Sequence, residues 1–390
     1  MIPILYDKDE TTFVSNGLGR LRDCISCTVT EERNGVYECD FEYPVTGANY
    51  DLIQVGRIIG VTHDDYHTRK VERIVAPLTD EELTDITDEN GTPLMGERKN
   101  SFYVRDIQPF DIVSFSRPID GVVTFHAVHI SYRQSYLTTN GTNINNLSDA
   151  LDMLKVSQPS NPFDYWSDKV STGYMSSADG VPKTVRSFLG GLEGSILDAY
   201  GGEYEWDRWT VKLWNSRGDD KDFSIRYSVN MVNYDEDCDI SETYSSCVPY
   251  WKSDSAVVVG DRQDCNGSTV TGRGECVPLD VTDKFESQPT KAQVEAMGAS
   301  IMATTNPHIP KQTIKVEFVR LQDSPEYAEY QNLLHCRLCD SIKVIFPYYN
   351  TSTRYKIVKT VWDVLQNRYE SMELGELSTT LAEALGIGNK

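Results

Sequence analysis

No stretch of this 390-residue chain approaches the ~20 consecutive apolar residues that a membrane-spanning helix needs. The opening MIPILYDKDE turns charged after five residues and no secretory apolar core follows, so folding in a reducing cytoplasm is the expectation. Positive charge is scarce: 37 Lys and Arg face 59 Asp and Glu, a formal charge of −22. Gripping DNA or an anionic membrane requires clustered cations, and no basic stripe occurs. The same imbalance suits a passage through which DNA slides without sticking, because like charges repel. Nine cysteines, an odd number, fit free buried thiols better than a disulfide framework.

Signatures of catalysis are missing as well. There is no G-x-S-x-G elbow. LGGLEGS (189–195) lacks both the G-x-G-x-x-G spacing and a Lys-Ser/Thr pair, and it follows a helical pattern rather than a strand. In THDDYH (62–67), His63 and His67 stand four apart, and Asp64 sits where a zinc protease carries its glutamate. That chemistry needs a helix to put both imidazoles on one face, whereas these residues follow the β-run GRIIGV, and Asp is one methylene shorter than Glu. The stretch reads as a polar inter-strand loop.

Cys24/Cys27 and Cys336/Cys339 are C-x-x-C pairs, the second beside His335. On a strand, residues three apart face opposite ways, and no glycine or proline lies between Cys24 and Cys27 to make a knuckle, so isolated buried thiols are expected. Cys265 and Cys276 flank a turn and could approach each other, but reducing conditions argue against a bridge. His126 and His129 share a strand and face apart. Carboxylates are too numerous for a glycosidase pair to be located. No catalytic, cofactor-binding or metal-binding residue is assigned, and no cofactor is expected.

What the sequence holds in abundance is strand pattern. ISCTVTEERNGVYECDFEY (25–43) is two alternating runs around Asn34-Gly35, the strongest short hairpin signal. Further strands are expected at 56–62, 100–107 and 121–132, a spacing that suggests a barrel or sandwich. Residues 78–97 read as an acidic insertion with a short helix opened by Thr79 and Glu82 and a turn at Asn90-Gly91. LSDALDMLK (147–155) places Leu147, Leu151 and Leu154 on one helical face. VRSFLGGLEGSILDAY (185–200) is a helix interrupted near Gly190-Gly191. Strands return from Asp222 to Val259, and residues 261–276 read as a long hairpin tip. A helix over 290–303 is signalled by Thr290 as N-cap, Gln293 closing a capping box, and Val294, Met297 and Ile301 on one side. Strand patterns follow at 312–321, 340–349, 354–365 and 368–374.

GEYEWDRWTVKLW (202–214) concentrates three tryptophans and a tyrosine. With Asp207 and Arg208 as a two-residue turn, Trp206 faces Trp209, Tyr204 faces Val211, Gly202 faces Leu213, and Glu203 lies across from Lys212. One side is then apolar and the other charged, as in a hairpin lying on a core. A stacking surface for ligands needs its rings on the wet side, where only Trp214 sits.

Taken together, LGGLEGSILDAYGGEYEWDRWTVKLWNSRG, DFSIRYSVNMVNYDEDCDISETYSSCVPYWKSD, PLDVTDKFESQPT and VKTVWDVLQNRYESMELGEL resemble the prophage tail family known as endopeptidase tail or tail-associated lysin. NGVYECDFEYP and HAVHISY fit the same family. The resemblance is to its N-terminal structural module, the baseplate hub. It implies an α+β, mainly β chain with two small β-barrel tube-type domains, at 1–137 and 231–378, flanking an α+β domain at 138–230, with a tail at 379–390. It also implies a homotrimer whose six barrels dock on a sixfold tail tube or distal tail protein while offering threefold symmetry to the tip. Tape measure protein and a tip fibre or receptor-binding protein are the further partners implied, with DNA passing through unbound and no membrane insertion. The place implied is the virion tail tip, assembled in the host cytoplasm. The sequence ends at LAEALGIGNK, without the hydrolytic or receptor-binding segment of longer relatives, so a non-enzymatic chain is expected. Rival readings are a cell-wall hydrolase acting through His63 and His67, and a carbohydrate-binding module using Trp214 or the aromatics of FDYW (163–166).

Overall fold

The computed structural model describes residues 1–375 except 64–67, 78–96, 106, 176–180, 191–193, 228–230, 266–268, 270–271, 286, 306, 319–335 and 350. The helix and turn expected within 78–97, together with Asp64, His67, His335 and the tail 379–390, lie outside the described residues.

The architecture is α+β and mainly β. Its first hairpin forms where Asn34-Gly35 signals it, the strand Ser26–Glu32 pairing antiparallel with Tyr37–Pro44. Asn34 adopts φ 54°, a left-handed conformation that Asn tolerates better than most residues. Alternation decides which side is buried: Cys27, Val29, Tyr37, Cys39, Phe41 and Tyr43 point inward, while Thr28, Glu38 and Asp40 do not. Phe41 stacks on Phe125 of the next strand, with ring centres 4.8 Å apart.

The main sheet runs Met231–Asp239, Lys311–Phe318, Arg368–Gly375, Thr351–Asp363, Ser26–Glu32, Tyr37–Pro44, Val122–His129, Gln108–Ser116, Ile58–Val61, Ile4–Tyr6, Gly19–Arg20. Strands from both ends of the chain thus belong to one sheet, joined where Trp362 lies opposite Val29. Among the described residues neither barrel-like region closes on itself by hydrogen bonding. The union rests on the thirteen-residue strand Thr351–Asp363. Its first half pairs with Ser341–Phe346 and its second half with both Arg368–Gly375 and Ser26–Glu32. Register shifts at 357/359 and 361/362 bend it so that one strand serves both regions.

The middle of the chain contributes the helix Leu147–Lys155, capped by the Asn146 side chain, and two short helices, Val185–Leu189 and Ile196–Tyr200, broken at the glycines as the sequence indicates. These elements share one apolar core with the N-terminal sheet, in which Leu147, Leu151 and Leu154 meet Phe188, Tyr204 and Trp206. A second core, around Ile225, Ile314, Ile342, Val344 and Met372, lies under the C-terminal strands.

The helix Lys291–Thr305 starts as expected: Thr290 donates its backbone N–H to the Gln293 side chain, and the Gln293 N–H returns to the Thr290 hydroxyl. Its Val294, Met297 and Ile301 pack with Trp251 and Val281 on a separate four-stranded sheet. That sheet corrects the reading of 261–276 as a hairpin tip. Gln263–Asp264 and Cys276–Asp280 lie on opposite sides of Ser246–Lys252, one antiparallel and one parallel.

The tryptophan hairpin also differs in register. Its turn is Arg208-Trp209, so Asp207 faces Thr210, Trp206 faces Val211, Glu205 faces Lys212 and Tyr204 faces Leu213. Arg208 takes φ 51° there. Moving the turn by one residue shifts each partner by two, which leaves the faces unchanged. Tyr204, Trp206, Val211 and Leu213 are therefore buried as expected. Trp209 alone changes role: it sits in the turn and donates its indole N–H to the Thr11 carbonyl at 2.9 Å.

Candidate functional site

His63 lies against a carboxylate. Its Nδ1 lies 3.3 Å from Glu31 Oε2, and the other Glu31 oxygen accepts from Arg217 Nη1 at 3.0 Å. All three are nearly enclosed. Burial alone would push the Glu31 carboxyl up, but the Arg217 guanidinium and His63 outweigh it and hold it down at about 2. Arg217 is raised in return, its partner Glu31 overcoming the effect of burial. Arg217 also donates to the Tyr204 carbonyl at 3.0 Å, and its backbone N–H reaches Glu203 Oε2 at 2.7 Å. Glu203 accepts from Lys356 Nζ at 2.6 and 2.7 Å and lies 3.6 Å from Arg33. Lys359 pairs with Glu32 at 2.8 Å. The first hairpin, the tryptophan hairpin and the C-terminal strand thus meet through one set of ion pairs, at the place where the main sheet passes from one end of the chain to the other.

Two amides fasten the tryptophan hairpin to the N-terminal sheet. Asn34 Nδ2 donates to the Gly202 carbonyl at 2.9 Å and its Oδ1 accepts from the Tyr204 N–H at 2.8 Å. At the far end, Gln108 Oε1 accepts from the Arg208 N–H at 3.0 Å, and its Nε2 reaches Asp207 Oδ1 at 3.3 Å. His129 Nε2 lies 3.3 Å from the same Gln108 oxygen while its Nδ1 accepts from the Ser131 N–H, which assigns the neutral Nε2–H tautomer. Burial, then His63, lowers the His129 pKa to about 3. His126 faces away as expected, with Nδ1 2.8 Å from Asp40 Oδ1 on the half-open side of the sheet.

Cys24 precedes the strand that begins at Ser26, so strand alternation does not govern it; its thiol donates to the Ser26 carbonyl at 3.1 Å, while the Cys27 thiol lies 3.8 Å from that of Cys39. Burial pushes the Cys27 thiol up, which makes it a poor thiolate. Among the described residues no group of three His, Cys, Asp or Glu side chains could hold a metal ion. Cys265 and Cys276 lie on opposite sides of the strand Ser246–Lys252, about two strand spacings apart, roughly 10 Å, beyond disulfide reach.

Two aromatic residues singled out separately in the sequence are brought together. The strand Asp164–Ser167 pairs in parallel with Thr210–Trp214, and Trp166 meets Trp214 edge to face with ring centres 4.8 Å apart. Phe163 is buried against Trp209, and the Tyr165 hydroxyl is tied to Gln134 at 2.7 Å, so of FDYW only Trp166 keeps an open side chain of aromatic character.

No protein-family profile matches the sequence, and no curated protein matches it. Solved structures do. The chain is similar over 99% of its length to 98% of prophage tail protein gp18 from Listeria monocytogenes EGD-e, with a TM-score of 0.60 and 13% identity. It is similar over 96% of its length to 97% of the prophage MuSo2 43 kDa tail protein from Shewanella oneidensis, at TM-score 0.57 and 10% identity. For the tail protein from Neisseria meningitidis MC58 the shares are 98% and 98%, with a TM-score of 0.56 and 9% identity. From end to end, the chain has the fold of these tail proteins.

Proposed function

We propose that this chain is a structural protein of a phage or phage-like tail, the baseplate hub that closes the tail tube. The observation that carries the reading is the end-to-end likeness in fold to three tail proteins from three bacterial genera, two of them from prophages. In this reading three copies surround an axis, the strand-built regions 1–137 and 231–378 of each copy form a pseudo-sixfold collar, and the middle region 138–230 stands on its outer or tip side. The collar docks on the distal tail protein or tube, the tape measure protein ends against it, and a tip fibre or receptor-binding protein occupies the threefold side. The acidic balance supports a lumen that repels DNA and so lets it pass. The chain itself hydrolyses nothing and acts at the virion tail tip after assembly in the host cytoplasm.

Native mass measurement of the purified chain, alone and with the distal tail protein of its own gene cluster, tests this. A trimer of the 44.1 kDa chain in either sample is expected. A monomer in both, or release of soluble fragments from purified cell walls by the chain, would remove the proposal.

A further inference from the structure

Trp166 and Trp214 stand on the outer face of the small sheet formed by Asp164–Ser167, Thr210–Trp214 and Glu203–Asp207, while Tyr204 and Trp206 supply the packing on its inner face. Trp166 remains 44% exposed, so its ring is not used up in the core. Trp214 is fixed beside it: its indole N–H donates to Glu205 Oε2 at 2.7 Å, and Lys212 Nζ holds the other Glu205 oxygen at 2.9 Å. Next to Trp214 opens a cavity of about 280 Å³, lined by the carboxylates of Asp168, Glu205 and Asp219, the Ser216 hydroxyl and the Arg337 guanidinium. Arg217, which also borders it, is directed inward to Glu31 and the Tyr204 carbonyl.

We propose that this wall and cavity form a saccharide-binding site for neutral or N-acetylated hexoses. A pyranose ring offers polarised C–H groups on one face and a rim of hydroxyls around it. The first suit the negative face of an indole and the second suit carboxylate acceptors, whose hydrogen bonds are about twice as strong as neutral ones. The cavity is smaller than the ~300–1,000 Å³ of sites for drug-sized ligands, so it takes a single ring, with a neighbouring ring lying on Trp166. The lining carries three carboxylates, while Arg217 is engaged with Glu31 and Arg337 lies 3.6 Å from Asp219, which disfavours phosphate- or carboxylate-bearing sugars. The site stands independently of the hub reading, since it uses one copy of the chain only.

The test is tryptophan fluorescence and calorimetric titration of the full chain with chitotetraose, maltotetraose and, as an anionic probe, a hyaluronan tetrasaccharide. Saturable binding of a neutral or N-acetylated probe with a Kd of about 1 mM or tighter is expected. Trp166→Ala weakens it about tenfold or more, Trp166→Tyr retains most of it, and Trp209→Phe, in the turn, leaves it unchanged. Glu205→Gln weakens it as well. The proposal is overturned if neither neutral probe binds, if only the anionic probe binds, or if Trp166→Ala binds as the parent does while its circular dichroism is unaltered. The mass of the native assembly, measured on the same samples, reports on the hub reading separately.

Discussion

The guanidinium carbon of Arg186 lies 4.5 Å from the centre of the Trp206 ring. The Tyr132 ring centre stands 4.4 Å from the same carbon, and Nη1 donates to the Ser131 hydroxyl at 3.1 Å. Arg186 is 1% exposed, and its Nε and Nη2 find no hydrogen-bond partner among the described residues. Two π-faces therefore take the place of a carboxylate, each contributing up to about 2 kcal/mol when desolvated. Lys is a strongly hydrated point charge that cannot lie flat against the rings. Arg186→Lys should cost about 2 kcal/mol, whereas Arg186→Met, which removes the buried charge and fills the gap, should cost less than about 1 kcal/mol. Urea unfolding midpoints at unchanged slope distinguish the two.

Asn34 has two duties, the left-handed turn and the bridge to Gly202 and Tyr204. Asn34→Gly keeps the turn and loses both bonds, for an expected loss of about 1–2 kcal/mol. Asn34→Asp keeps the acceptor but sets a carboxylate against the Gly202 carbonyl, and should be the worse of the two near neutral pH. Hydrogen exchange at the Tyr204 amide should accelerate in both variants, and an unchanged rate would show that the bridge does not hold the hairpin.

Removing Arg217 takes from the buried Glu31 its guanidinium partner and leaves it against the His63 ring. Arg217→Ala should destabilise by about 3 kcal/mol, the cost of leaving a buried charge poorly compensated. Glu31→Gln combined with Arg217→Met should recover much of that loss, a coupling that a double-mutant cycle measures. Additive losses would show that the two side chains act separately.

Two of these groups predict an acid limb. His129, held near 3 against an ordinary value of about 6.5, binds its proton in the unfolded chain first, so stability falls as the pH drops below about 6.5. Glu31, depressed to about 2 from an unfolded value of about 4.3, adds a second loss as the pH falls below about 4.3 and through 2. Both contributions are fully present near pH 7. Unfolding midpoints measured from pH 7 to 3 should fall in two stages, and His129→Gln should flatten the first while leaving the second.

At the hairpin tip, Arg208 holds φ 51° in a turn that favours Gly or Asn. Arg208→Gly should stabilise the fold by up to about 1 kcal/mol, since the partly exposed pair with Asp207 that it gives up is worth less than the strain it relieves. A lowered thermal midpoint would contradict that balance.

The local elements were legible in the sequence wherever a signal acts through near neighbours. Alternation buried Cys27, Val29, Cys39 and Phe41, Asn34-Gly35 turned the first hairpin, and Thr290 with Gln293 opened the long helix. The face of the tryptophan hairpin was legible too, although its turn was not: Asp-Arg and Arg-Trp are equally poor turn formers, and the tie from Gln108 to Asp207 and to the Arg208 N–H, which fixes the choice, comes from 99 and 100 residues away. Cys24 lies just outside the strand, which begins at Ser26, so the alternation does not place its thiol.

Long-range partners were decided by the tertiary structure alone. Nothing local in GRIIGVTH indicates that His63 meets Glu31, or that Glu31 meets Arg217, 186 residues on. Pattern specifies which face of a strand is apolar, but edge N–H and C=O groups are the same on every strand, so pattern does not specify which edge joins which. That is why strand content and the signalled turns follow from the sequence, whereas the union of both ends of the chain in one sheet, through Trp362 and Val29, and the meeting of Trp166 with Trp214 appear only when the whole chain is packed.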